Sequence, residues 1–170
     1  MEGELVELSM YRNAIRLLLE SRSPRIIQND TVSFAKIIVE EFIRSANEAV
    51  YIYSTRLDEA AWGAPSVLSA ISVAMDKGVE FHVLTREEPS ASNPFLKKLR
   101  ATFPEISSVK ARTKVADDFL VVDGVAFRLE HEGVCRKGVA CAYSPVNAQA
   151  LISVFLKLQS DSESVGEMKL

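Results

Sequence analysis

Two apolar runs, Phe119-Leu120-Val121-Val122 and Val125-Ala126-Phe127-Arg128-Leu129, flank Asp123-Gly124. An Asp-Gly pair accepts the positive φ angles that a tight two-residue hairpin turn requires, so the two runs are expected to pair as antiparallel strands. No other feature constrains the chain as strongly. Upstream of the hairpin the pattern is different. Residues 49–55 and 79–85 are rich in β-formers, and between them Pro65 suits the first position of a helix. Val67, Leu68, Ile71, Ala74 and Met75 keep helical spacing until Lys77-Gly78, a basic last turn and a glycine stop. Strand, helix, strand, helix is α/β patterning, with the first strands parallel. Joined to the hairpin, it predicts a mixed sheet flanked by helices.

The remaining elements fit around that frame. Leu5, Leu8, Ile15, Leu18 and Leu19 give residues 5–20 an amphipathic helical pattern, which the stretch 21–26 with Pro24 breaks. Asp30 or Thr31 can cap a second helix carrying Phe34, Ile38, Phe42 and Ile43 and running to about Asn47. Asn93-Pro94 opens a short helix that continues through Thr102 and is closed by Pro104. Residues 109–115 alternate as a strand, and 139–143 form a further strand leading through Ser144-Pro145 into a helix over 148–158. The last twelve residues are polar and expected to fray. At 170 residues the chain has the length of one domain, and no internal repeat is present. The division expected is an N-terminal amphipathic helix over 1–23, a domain over 24–160 and a polar tail over 161–170.

Composition narrows the function classes. Hydrophobic residues make up 48% and charged residues 25%, which excludes disordered and collagen-like chains. A net charge of −3 argues against indiscriminate nucleic-acid binding over the whole surface. No apolar run approaches the roughly 18 residues of a membrane span. Met1-Glu2-Gly3-Glu4 is acidic where a secretory signal is basic, so a cytoplasmic protein is expected. Cys135 and Cys141 are too few for a disulfide scaffold and are read as free thiols. With His131 they make a His-x3-Cys-x5-Cys set that matches no standard zinc spacing and lacks a fourth ligand, so neither metal nor cofactor is expected.

Ala116-Asp117-Asp118-Phe119-Leu120-Val121-Val122-Asp123-Gly124 resembles the HxKxxxxD segment of the phospholipase D superfamily, where His-x-Lys precedes an apolar strand and Asp-Gly. The order of elements over roughly 31–159 also resembles one phospholipase D-like half. The resemblance implies an α/β fold with a mixed β-sheet flanked by helices, here with an additional N-terminal helix. It also implies a mechanism in which the motif His attacks phosphorus, the Lys holds the phosphate and a second His protonates the leaving group. Here Ala116 stands in the place of the nucleophile and Asp118 in that of the lysine. A methyl group forms no phosphoenzyme, and a carboxylate repels the phosphate that an ammonium would hold. Of the signature, Asp123 remains. Tyr143-Ser144-Pro145-Val146-Asn147 stands where active halves carry Gly-Ser and an Asn. Ser144 and Asn147 therefore either face the old pocket or cap the final helix.

Several residues are candidates for binding. Lys97, Lys98, Arg100, Lys110, Arg112 and Lys114 face a single acid, Glu105, between positions 97 and 114, a local charge of +5 in an acidic chain. On a strand, Lys110, Arg112 and Lys114 share one face, either a patch for phosphate or an acidic partner, or an edge guarded by lysine against aggregation. Arg128 and Glu130 share a face beyond the hairpin turn, either as a buried polar network with Asp118 or as a solvated cross-strand pair. Trp62 lies in the loop after the first strand of the parallel pair, and residues 86–93 form the loop after the second. Both leave the carboxyl ends of parallel strands, where open α/β sheets bind ligands.

The leading expectation is a catalytically inactive phospholipase D-like domain serving as a binding or regulatory module, and as a homodimer, because the resemblance implies that one-motif chains pair so that two motifs meet and a degenerate half can keep that pairing surface. Its partner is another protein, a second copy, a nucleic-acid backbone or a small ligand. Sugar-responsive regulators of the TrmB kind use a resembling fold without the motif. One alternative is a nuclease or phosphodiesterase with its nucleophile supplied by His82 or His131. Another is a structural subunit that docks through its N-terminal helix.

Overall fold

The computed structural model describes residues 2–87, 90–102, 109–110, 117–131 and 137–163. Seven strands form one sheet: β1 (Ile26–Asn29), β2 (Ala49–Ser54), β3 (Glu80–Thr85), β4 (Val109–Lys110), β5 (Asp117–Val122), β6 (Ala126–His131) and β7 (Gly138–Cys141). Their order is β1-β7-β6-β5-β2-β3-β4. β2, β3 and β4 run parallel, whereas every other neighbouring pair is antiparallel. The helices are α1 (Glu2–Glu20), α2 (Val32–Ser45), α3 (Glu59–Trp62), α4 (Pro65–Asp76), α5 (Pro94–Arg100) and α6 (Pro145–Glu163).

The central strands are apolar on both faces because both faces are covered. Leu120 and Val122 of β5 join Val50 and Ile52 of β2 and Phe81 and Val83 of β3 beneath α2, α4 and α5. Phe119 and Val121 point the other way, with Tyr53, Leu84 and Phe127, against Phe155 and Leu158 of α6. Local signals set the helix ends. The Thr31 hydroxyl accepts from the Phe34 amide, and the Asn93 side chain accepts from the Leu96 amide with Pro94 at the first turn. Gly78, at φ 80°, ends α4, and Lys77 Nζ donates to the carbonyls of Arg44 and Ala46 at the end of α2.

The hairpin turn forms as its sequence dictates. Asp123 and Gly124 have φ of 51° and 64°, and the Val125 amide donates to the Val122 carbonyl. The Asp123 carboxylate accepts from the amides of Asn47, Glu48 and Ala49, tying the turn to the start of β2.

Four expectations are corrected. Residues 26–29 form an edge strand, β1, antiparallel to β7, where the sequence suggested the end of a break. The loop after β2 contains a helical turn, α3, with the Asp58 side chain accepting from the Ala60 amide. The final helix begins at Pro145, a residue suited to a first turn. It also continues through Glu163, so residues 159–163 extend the helix instead of fraying. The expected strand over 109–115 is seen as Val109–Lys110, and residues 111–115 lie outside the described residues.

α1 packs on α2. Ile15 is 1% exposed in the main core, and Tyr11 lies 4.3 Å from Phe34, ring centroid to ring centroid. Arg12 and Arg16 reach the buried Glu40 and Glu41 of α2: Arg16 Nε is 2.8 Å from Glu41 Oε2, and Arg12 pairs with both carboxylates.

Candidate functional site

A cavity of about 550 Å³ opens at the carboxyl ends of β2 and β3, where β5 begins. Its helical wall is apolar, formed by Val32, Ala35 and Val39 of α2 and Ala61 and Trp62 of α3. Its strand wall sets Ser54, Thr55, Asp118, Arg128 and Glu130 beside the apolar Phe119 and Leu120. Arg56, Asp58, Arg86 and Glu87 come from the two loops that leave the parallel strands. A second hollow, of about 370 Å³, shares Arg56, Asp58 and Glu87 with the first and reaches Ser90 and Asn93.

Asp118 is fixed on the strand wall by three donors. Ser54 Oγ lies 3.0 Å from one carboxylate oxygen, the Thr55 amide 2.9 Å from the same oxygen, and Thr55 Oγ1 2.8 Å from the other. Burial pushes the Asp118 carboxyl above its ordinary pKa of 3.8, and the nearby Glu130 charge adds to this, while the Thr55 and Ser54 hydrogen bonds oppose it. Register explains the grouping: Asp118 pairs with Glu130 and Leu120 with Arg128, so Asp118, Glu130 and Arg128 share one face of the sheet.

Arg128 is 5% exposed, and its Nη2 lies 2.6 Å from Glu130 Oε2. Its Nε finds no hydrogen-bond acceptor among the described residues. Gly138, opposite Glu130 on β7, leaves room for this guanidinium. A Cβ there would stand 3.3 Å from Arg128 Nη2 and 2.7 Å from the Leu129 carbonyl oxygen. The positive charge of Arg128 is felt at Tyr11 of α1, whose phenol burial nevertheless pushes up to about 12.

The structure separates the residues singled out by sequence. Asp118, Arg128, Glu130 and Trp62 come together at the cavity; Trp62 is 8% exposed and packs edge-to-face on Phe95. Asp123 supports the hairpin turn and does not line the cavity. Ser144 and Asn147 sit at the start of α6. There the Ser144 amide donates to the Val125 carbonyl, and Asn147 Nδ2 donates to Ser144 Oγ. They belong to the helix start and do not line the cavity, and the Ala148 amide donates to the Ser144 backbone carbonyl.

Lys97 and Arg100 are exposed on α5, with Lys98 half-buried, and none of the three lines the cavity. Lys110 belongs to the edge strand β4, while Arg112, Lys114 and Ala116 lie outside the described residues. His82 stacks on Tyr51 at 4.5 Å on the α6 side and does not line the cavity. His131 does, with Nδ1 2.9 Å from Asp117 Oδ1. Cys141 is buried, and Cys135 lies outside the described residues. Among the described residues no cluster of His, Cys, Asp or Glu is arranged to hold a metal ion, and no helix is long and apolar enough to cross a membrane.

Sequence reasoning passed over Ser54, Thr55 and Arg56. The signal available was their position at the carboxyl end of a predicted parallel strand, where ligand-binding loops of α/β sheets begin.

No family model matches the sequence, and no curated protein matches it. Solved structures do. The chain is similar to Nuc, a phospholipase D family member from Salmonella typhimurium, with a TM-score of 0.50 at 15% identity over 81% of this chain and 93% of that one. The fold is phospholipase D-like. The chain is also similar to TrmBL2, an archaeal chromatin protein whose structure shows a novel mode of DNA binding, with a TM-score of 0.56 at 16% identity. That likeness covers 95% of this chain but 65% of TrmBL2, slightly under two thirds of its length. In this phospholipase D-like fold, Asp118 borders the cavity.

Proposed function

We propose that the chain is a non-catalytic phospholipase D-like binding module whose ligand occupies the cavity at the ends of β2 and β3. The observation that carries this reading is Asp118. A carboxylate replaces the phosphate-holding lysine, and three hydrogen bonds from Ser54 and Thr55 fix it in place. Ala116 supplies no nucleophile in the motif. The cavity itself persists, with an apolar wall, a wall bearing polar groups and a buried guanidinium, as small-molecule sites generally have. Native mass spectrometry of the protein purified from its own cell tests the reading. A small-molecule adduct is expected on the wild type and not on Ala61→Trp, which fills the cavity from α3. An adduct retained by Ala61→Trp would place the ligand elsewhere.

A second reading rests on α5, which presents Lys97 and Arg100 to solvent, and on Lys110 of the edge strand β4. Under it, this basic face contacts a nucleic-acid backbone. The DNA-binding description of TrmBL2 supports this reading without locating the contact. If it holds, replacing Lys97, Lys98 and Arg100 with Ala reduces the log–log salt slope of duplex binding by about 3. An unchanged slope in a fluorescence-anisotropy titration removes it.

A further inference from the structure

We infer that the ligand of this cavity is an uncharged small molecule, one that presents a hydrogen-bond acceptor to Arg128 and apolar atoms to the wall formed by α2 and α3. The inference rests on the binding-site reading above and goes beyond it by assigning the ligand's charge. Three observations carry it.

The first is the charge balance of the lining. Arg56, Arg86 and Arg128 contribute three guanidinium groups, Asp58, Glu87, Asp118 and Glu130 contribute four carboxylates, and the remaining titratable group, His131, is paired with Asp117. A phosphorylated ligand would add negative charge to a lining that already carries an excess of it. Along the strand wall the imbalance is closer at hand, because Asp118 and Glu130 face each other across β5 and β6 with Arg128 beside them. Like charges brought together away from bulk water repel strongly.

The second is the state of Arg128. Its charge is already engaged by Glu130 at 2.6 Å, so it does not need an anion. Its Nε and Nη2 are buried without a hydrogen-bond acceptor among the described residues, Nη2 meeting Glu130 as an ion pair, and a buried donor is costly to leave unsatisfied. A carbonyl, amide or hydroxyl oxygen answers that need and adds no charge.

The third is the opposite wall. Val32, Ala35, Val39, Ala61 and Trp62 offer carbon and no fixed charge, which suits the body of an organic molecule and gives a bare phosphate nothing to contact.

Matched pairs that differ in charge test the inference: benzamide with benzoate, and uridine with uridine 5′-monophosphate. Each is titrated into the full chain while the Arg128 Nε–Hε correlation is followed by NMR, its assignment fixed by the signal lost in Arg128→Lys. Saturation transfer from the protein reports binding of each probe independently of that signal. The expected result is that at least one neutral member binds, shifts the Arg128 signal, and binds at least tenfold more tightly than its anionic counterpart. An anionic member that shifts the signal and binds as tightly or more tightly overturns the charge assignment and leaves the binding-site reading standing. Neutral probes that bind without moving the Arg128 signal overturn the role given to Arg128. If no probe shows saturation transfer or moves any cavity resonance, the binding-site reading fails and takes the inference with it.

Discussion

Asp118 and Asp123 lie on one short segment and do different work. Asp123, at positive φ, holds three backbone amides at the start of β2. Asp123→Ala removes those acceptors and puts a Cβ-bearing residue without a compensating side chain in the left-handed region, so a loss of about 2 kcal/mol is expected. A shift in the urea midpoint at constant m-value would show it, and no shift would contradict the anchoring role. Glu130→Ala leaves Arg128 buried without its carboxylate, and a loss of about 3 kcal/mol is expected. Loss of less than about 1 kcal/mol would mean that Arg128 re-solvates freely. Asp123 was legible in sequence because a tight Asp-Gly turn is specified by adjacent residues. Asp118 was legible only through the motif resemblance, since the hydroxyls that hold it come from Ser54 and Thr55, 64 and 63 residues away. The shared face of Arg128 and Glu130 followed from strand alternation, but the burial of Arg128 depends on Gly138 across the sheet. Gly138→Ala forces a Cβ within 2.7 Å of a backbone oxygen, and should destabilise the chain by about 1–3 kcal/mol in the same urea assay.

The pair of α1 and α2 is joined by charge as well as by Ile15. Burial raises the proton affinity of Glu40, but the Arg12 hydrogen bond and charge outweigh it, so its carboxyl lies below the ordinary value of 4.5. A group with a lowered folded pKa contributes stability that is fully present above its unfolded pKa and is lost as pH falls through the folded value. Acid should therefore loosen α1 from α2. Asp118, whose carboxyl is raised, acts in the opposite sense, its contribution falling as pH rises from 3.8 through its folded value. Amide exchange in α1, followed from roughly pH 6 to pH 3, should speed up in the wild type beyond the intrinsic pH trend and change less in Glu40→Gln. Equal profiles in the two proteins would contradict the link. The amphipathic pattern of α1 was plain in sequence, whereas its seat was not, because it depends on Arg12 and Arg16 meeting Glu40 and Glu41 across two separate helices. Strand β1 escaped notice for a related reason. Four residues with Ile26 53% exposed carry no alternation strong enough to distinguish an edge strand from a loop.

At the scale of the whole molecule, the parallel β2-β3-β4 half supplies the loops of the site, and the antiparallel half supplies its charged wall. The topology was largely legible, because the change from helix-separated strands to a hairpin marks the change from parallel to antiparallel pairing. The cavity was legible as a location, the carboxyl ends of the parallel strands, but not as a charge balance, which arises only when β5, β6 and two loops converge. What distinguishes this account from an enzymatic one is the chemistry missing from the motif and the position of the histidines: His82 is on the α6 side, and His131 is paired with Asp117 at the cavity edge. The most direct measurement is hydrolysis of bis(4-nitrophenyl) phosphate by the pure protein in the presence of a metal chelator. The account predicts release of 4-nitrophenol at the rate of the protein-free blank. Release above the blank that disappears in His131→Ala would contradict it.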